Sequence, residues 1–406
     1  MLNSFTRKRQ LPFEALFLFI VQKTKASLSI SLSEFFQDTG QQTPTKSSLS
    51  QARSHLCFKA FKRINLLICK LFYEQNKVRK WKGFRVLAID GSTLQLPNHP
   101  SLVEKFSKHA FGAKRTVEHW MSRVSFFYDV LNGMIIDAQM ESFDTSEATL
   151  CDSHLGFMRK GDLVIFDRYY ASHYLFSVLS HKNIQFLFRM RDHSWQCVKE
   201  FVASPLRSQV VDLKVYKYSK VAKKMPSNVD AVVRIRLVKY KTKSGDINVY
   251  ATSLLDDEKY SNKSIINLYK ERWGVEEAYK TLKARLDVIH FSGKTLQAIQ
   301  QDFYANVLLI SLTSALKSQT KVVLKTKTHT QNKEKRIPIT NNTFALWQTK
   351  RLLKRIYFYF DRVYQWVCEF TTMIERTTEY SRKGQSNYRK PKKGRERSFN
   401  QNYKCI

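Results

Sequence analysis

Apolar residues crowd positions 11–23 (LPFEALFLFIVQK) and predict a buried helix, followed by a short one at 31–37 (SLSEFFQ) with serines available as caps. After the polar stretch DTGQQTPTKSS, the positions Leu49, Ala52, Leu56, Ala60, Ile64, Leu67 and Leu71 keep a helical period, and Arg53, Lys59, Lys62 and Arg63 decorate that helix. This pattern fits a DNA-reading helix pair and a helical packing module with a solvated face equally well. From residue 84 the pattern turns to strands. FRVLAID is a short apolar run ending in Asp90; SRVSFFYDV and MIIDAQM flank Leu131-Asn132-Gly133, and Asn-Gly is the strongest short hairpin signal. A helix is expected over about 147–158, a buried strand in DLVIFD, a helix near 173–181 and a further strand in NIQFLFRMR. The order β-β-β-α-β-α-β predicts a mixed α/β layer. Residues from about 194 to 255 interrupt it with a β-rich insertion turning at Ser244-Gly245-Asp246, and helices resume over 262–286, 296–316 and, with many bases, about 344–375.

Charge narrows the partners. The 406 residues hold 69 Lys+Arg against 34 Asp+Glu, a net charge of +35, which points to a polyanion, nucleic acid before an anionic membrane surface. A merely solubilising basic surface is the plain alternative. The segment from Arg382 to Lys404 carries nine bases and one acid and is expected to be disordered unless nucleic acid binds it. The apolar run ALFLFIV follows Glu14 and falls far short of the ~20 residues of a membrane span. It also lacks a small-residue cleavage site, which argues against a secretory signal. Six scattered cysteines form no C-x-x-C pair, which argues against a zinc ribbon or a disulfide framework and fits a reducing, cytoplasmic setting.

Three carboxylates carry the candidate chemistry. VLAIDGST and LVIFDRYY each deliver an Asp directly after a buried run, and polar groups at the C-terminal ends of sheet strands gather where ligands bind. If the two strands are parallel neighbours, Asp90 and Asp167 lie side by side, and carboxylates that close need cations between them. Hard oxygen donors favour Mg²⁺ or Mn²⁺, and a third carboxylate would allow two ions for in-line phosphodiester displacement. Glu276 is that third group. It lies in YKERWGVEEAYKTLK, where Tyr269, Arg272, Glu276 and Lys283 recur at steps of three, four and seven. On a continuous helix turning roughly 100° per residue they fall within an arc of about 60°. A metal-binding carboxylate faces a scissile phosphate, so Arg272 as a fork, Lys283 as a point charge and Tyr269 as a hydroxyl are expected to bind DNA phosphates. An i,i+4 ion pair of Arg272 with Glu276 is the plain alternative.

These residues resemble a known family. Tyr-x-x-Arg-x-x-x-Glu-x-x-x-x-x-x-Lys, with IDGSTLQLP and FDRYYAS, is similar to the signature of DDE transposases of the "insertion sequence four" family, over about 84–316. The resemblance implies an RNase H-like core over 81–316 with the β insertion, a helical basic DNA-binding region at 1–80, a basic helical region at 317–381 and a tail at 382–406. It implies Asp90, Asp167 and Glu276 as a catalytic, metal-binding triad holding Mg²⁺ or Mn²⁺, two ions in all. Double-stranded DNA at the element's ends and at the target, and a homodimer in the synaptic complex, are the implied partners. Some members hold a flipped base on an insertion aromatic, for which Tyr250 and then Trp195 are the candidates here. Tyr169 stands where the pattern has a small residue, and would crowd the second Asp loop. Two rivals stay open: a nuclease of the same fold without strand transfer, and an inactive DNA-binding protein derived from such an element.

Overall fold

The computed structural model describes residues 11–24, 26–37, 42–75, 78–110, 117–192, 195–214, 232–242, 245–320 and 337–381. Residue Ser244 of the expected insertion turn and the basic segment from Arg382 lie outside the described residues. In chain order the elements are α1 (Phe13–Val21), α2 (Leu28–Phe36), α3 (Lys46–Ser54), α4 (Lys59–Gln75), β1 (Arg85–Gln95), β2 (Ser107–Ala110), β3 (Glu118–Asp129), β4 (Met134–Ser142), α5 (Glu147–His154), β5 (Asp162–Phe166), α6 (His173–His181) and β6 (Gln185–Met190). They continue with α7 (Gln196–Ala203), β7 (Ser208–Lys214), β8 (Val232–Lys241), β9 (Ile247–Thr252), α8 (Asn262–Lys270), α9 (Trp273–Lys280), α10 (Leu296–Ser318), β10 (Ile337–Thr340), α11 (Asn342–Phe358), α12 (Val363–Arg376) and β11 (Thr378–Ser381).

Strands β1 to β9 form one mixed sheet in the order β2-β3-β1-β5-β6-β9-β8-β7, with β4 paired to β3, and this is the α/β, RNase H-like arrangement expected from the sequence. Its centre is parallel: β1 pairs β5, and β5 pairs β6. Val86 to Ile89, Leu163 to Phe166 and Phe186 to Phe188 are fully buried, as strands covered on both faces must be. The β-rich segment continues this sheet, with β9 antiparallel to β6 and β8 antiparallel to β9. The Asn-Gly hairpin forms as read, with Gly133 at φ 75°. Asp129 anchors its turn by accepting from the backbone N–H groups of Leu131 and Asn132 and from the Asn132 amide.

Register between β1 and β5 has a visible cause. Their first paired residues are Arg85 and Asp162, joined by two 2.8 Å bonds from the guanidinium to the carboxylate, both groups buried. Such a pair adds little net stability but penalises any slipped register, which would leave a buried charge alone.

The chain divides into two compact units, one of residues 1–68, 95–120 and 282–406, the other of 69–94 and 121–281. In the first, the single helix expected across Leu49 to Leu71 is two, α3 and α4. The carbonyls of Arg53 and Leu56, freed at the break, accept from the side-chain amide of Gln301 in α10. Arg53 does not decorate a solvated face. It is buried, bonding Asp302 at 2.6 Å and Gln301 at 2.5 Å. The second unit holds the candidate site.

Candidate active site

The β1–β5 offset, Ala88 opposite Ile165, carried two residues further sets Asp90 beside Asp167. Asp167 directly follows β5, whereas Asp90 is not at a strand end as expected, since β1 runs on to Gln95. The helical region that follows is not the continuous helix expected over 262–286. It breaks between α8 and α9, where Arg272 N–H donates to the Tyr269 carbonyl and Val275 N–H to that of Arg272, tighter turns than an α-helix makes. Beyond α9 the chain opens into a π-helical turn, Thr281–Arg285. The uniform 100° progression therefore does not hold on either side of Glu276, although Arg272 still lies over the Tyr269 ring and reaches Glu276.

Three of the four nevertheless come together with the two aspartates. The Tyr269 hydroxyl donates to Asp167 Oδ1 at 3.3 Å, and its ring packs on Tyr250 with centroids 4.8 Å apart. Arg272 spans two carboxylates, with Nη2 2.6 Å from Glu276 Oε1 and Nη1 3.6 Å from Asp90 Oδ2. The i,i+4 pair is thus real, yet it is one arm of a bridge rather than a surface pair. The Nε–H of Arg272 is buried and has no acceptor among the described residues. Lys283 belongs to the other unit, on the π-helical turn, where burial lowers its pKa.

Asp90 carries the strain of this crowding. Burial pushes its carboxyl up to about 6, Arg272 and the Gly91 N–H pull it down, and the charges of Glu276 and Glu147 push it up again. Glu147 is a participant that sequence reasoning missed. Its carboxyl carbon lies 2.7 Å from where a Cβ on Gly91 would stand, so any side chain after Asp90 would have to displace the Glu147 carboxylate. The Tyr170 hydroxyl donates to Glu147 at 3.3 Å and Arg123 lies 3.7 Å away. The glycine after Asp90 was the available signal, because glycine marks close approach; Glu147 itself read as an ordinary acid in a helix's first turn.

Two further expectations meet the structure here. Tyr250 is 6% exposed and packs in the core with Leu187 and Leu268, so its ring has no face to offer a flipped base. Trp195 stacks on His173 with centroids 4.3 Å apart. Tyr169 stands out of the Asp167 loop at 52% exposure rather than crowding it.

Among the described residues, no three His, Cys, Asp or Glu side chains converge on a common ion position, because the Arg272 guanidinium stands between Asp90 and Glu276. The donor chemistry still fits a hard divalent cation. The groups are all carboxylates, and Asp90 is held up chiefly by burial, a penalty on its charge that a bound cation would offset.

A solved piggyBac transposase, in a synaptic complex with hairpin DNA, aligns with 89% of this chain and 75% of its own at 10% identity and a TM-score of 0.47. No curated protein matches the chain. The family described as "Transposase DDE domain" matches residues 81–312. That stretch holds both aspartates, the Arg272–Glu276 bridge and the sheet that brings them together, and the chain belongs to this family.

Proposed function

We propose that the chain is a cut-and-paste transposase of the "insertion sequence four" type that binds the ends of its own element, cuts there and joins the freed ends to target DNA. The observation that carries this reading is the placement of Asp90 on β1 and of Asp167 just past β5, parallel neighbouring strands, with Glu276 tied to Asp90 through Arg272. Asp90, Asp167 and Glu276 would hold Mg²⁺ or Mn²⁺, which supplies charge neutralisation at the phosphate and a more acidic water. In cleavage, a water oxygen bonds to phosphorus as the bond to the 3′-oxygen breaks, leaving a 3′-hydroxyl and a 5′-phosphate. In joining, that hydroxyl attacks a target phosphodiester, one P–O bond forming as another breaks, so no outside energy source is needed.

The protein's own groups orient the phosphate. The Nε–H of Arg272, with no acceptor among the described residues, is a buried donor that a phosphate oxygen would satisfy. Tyr269 fixes Asp167 through its hydroxyl, and Lys283 supplies a further charge. The net charge of +35 supplies sequence-independent affinity for the duplex. Joining two element ends needs two copies, so a homodimer acts in the synaptic complex.

The test uses duplexes taken from the DNA flanking the reading frame, with Mg²⁺, Mn²⁺ or Ca²⁺. Asp167→Asn and Glu276→Gln should abolish cleavage yet keep end binding, since phosphate contacts dominate affinity. Ca²⁺ should not replace Mg²⁺, whose chemistry depends on tight octahedral geometry. Near wild-type cleavage by Asp167→Asn would refute the assignment. Cleavage without joined products from pre-cut ends would favour the plain nuclease.

A further inference from the structure

Behind Asp90, its main-chain carbonyl faces two hydroxyls. The Tyr279 hydroxyl donates to it at 2.7 Å and the Ser125 hydroxyl at 3.4 Å. Ser125 Oγ is also 3.0 Å from His154 Nε2, and His154 Nδ1 is 2.8 Å from Asp137 Oδ2, which takes a further bond from the Gln139 amide. Ser125 and His154 are fully enclosed, and Asp137 and Tyr279 nearly so. No substrate reaches this Ser-His-Asp chain, so it is not a nucleophile and its base.

Its direction gives it a purpose. Ser125 has one proton to give. The bond to the Asp90 carbonyl and the contact with His154 draw on this same hydroxyl, and the other ring nitrogen of His154 faces Asp137. A core position held only for stability is served as well by apolar side chains, because a buried polar chain roughly breaks even at best. Here the polar chain ends on one atom of one residue. Tyr279 adds a link of another kind, since it sits one turn after Glu276 on α9 and its 2.7 Å bond ties that helix to the middle of β1.

Resting on the reading of Asp90 as a metal ligand, we propose that Ser125 and Tyr279, backed by His154 and Asp137, are positioning residues that clamp the Asp90 carbonyl and so set the Asp90 carboxylate against Glu276. Outer groups that orient a ligand are commonly worth ten- to a hundredfold in metal affinity or activity.

Ser125→Ala and Tyr279→Phe each remove one hydroxyl. The Tyr279 ring keeps its stack on Phe126, centroids 4.4 Å apart, so the second change leaves the packing in place. Each should slow single-turnover cleavage of a flanking-DNA duplex about tenfold, and both together about a hundredfold, with the duplex Kd unchanged. Mn²⁺ titration of the protein without DNA should show weaker binding by about tenfold in the double variant. Ser125→Thr, which keeps the hydroxyl, should recover most of the loss. His154→Gln should add nothing to Ser125→Ala, because it acts only through that hydroxyl. Wild-type cleavage and Mn²⁺ affinity in the double variant would overturn the proposal, as would losses that track the melting temperature and are not rescued by Ser125→Thr. Asp90→Asn, run alongside, separates the two readings. If it still cleaves, the metal-ligand assignment has failed. If it is dead while the double variant is intact, only the positioning role has.

Discussion

Asp90→Asn should make the metal-free protein more stable while abolishing cleavage. Moving a carboxyl from 3.8 to about 6 means that the fold disfavours its charge, by about 3 kcal/mol at 1.36 kcal/mol per pH unit. The side chain keeps 22% exposure, so solvent takes back part of this, leaving about 1.5 kcal/mol. For a raised acid the native state holds its proton more tightly than the unfolded chain. Stability from this group is therefore highest below the unfolded value near 3.8 and falls as pH rises through the folded value near 6. At pH 7.5 in chelator, the asparagine variant should melt higher by about 3 °C. The gap should close only below about pH 3, where the wild-type carboxyl is protonated in both states. At pH 7.5, Mg²⁺ should raise the melting temperature of the wild type more than that of the variant, since a bound cation relieves the same penalty. A variant that melts at or below the wild type at pH 7.5, with native circular dichroism, would refute the reasoning.

Arg272→Ala should lose cleavage or end-complex formation by more than a hundredfold, and Arg272→Lys should recover it only in part, since lysine keeps the charge but not the two-armed fork across Asp90 and Glu276; wild-type activity in Arg272→Ala would show that the bridge is only an ion pair. Arg85→Leu should cost about 3–5 kcal/mol in urea denaturation by leaving Asp162 buried and unpaired, whereas the Arg85→Leu/Asp162→Leu double variant should regain most of that loss.

The central sheet was legible because its strands carry their burial in their composition: LAI and VIF are continuous apolar runs with polar ends, and Asn132-Gly133 fixes the hairpin. The position of Asp167 followed directly, since β5 ends where its apolar run stops, whereas β1 continues five residues past Asp90, because a strand can outlast its buried stretch. The helix carrying Glu276 was legible in place but not in shape. Periodicity assumes a constant turn, whereas here bonds tighten before Val275 and loosen after Lys280. Arg53 was misread for a related reason. A base on a helix reads as solvated unless its acid is known, and Asp302 lies 249 residues away. Glu147, Ser125 and Tyr279 were invisible because their part in the site comes from close approach between elements, and their residue types are ordinary in helix starts, strands and helices.

The site is therefore held from two ends, and the geometry explains why it needs both. Asp90 and Asp167 face the same region only while β1 and β5 keep their register, since a slip of one residue would turn Asp90 to the other face of the sheet. Mutual repulsion among Asp90, Glu276 and Glu147 favours just such an escape. At the entry to the strands, Arg85 and Asp162 oppose it by making the slipped state leave a charge unpaired. Further along β1, the Tyr279 bond to the Asp90 carbonyl opposes it by fixing the backbone itself, while the carboxylate stays free to face outward. Neither constraint uses the carboxylate oxygens of Asp90, Asp167 or Glu276, whose partners are the Arg272 guanidinium, the Gly91 N–H and the Tyr269 hydroxyl. That division of labour makes the register independent of the partners the carboxylates take, so a cation can replace Arg272 there without loosening the strands.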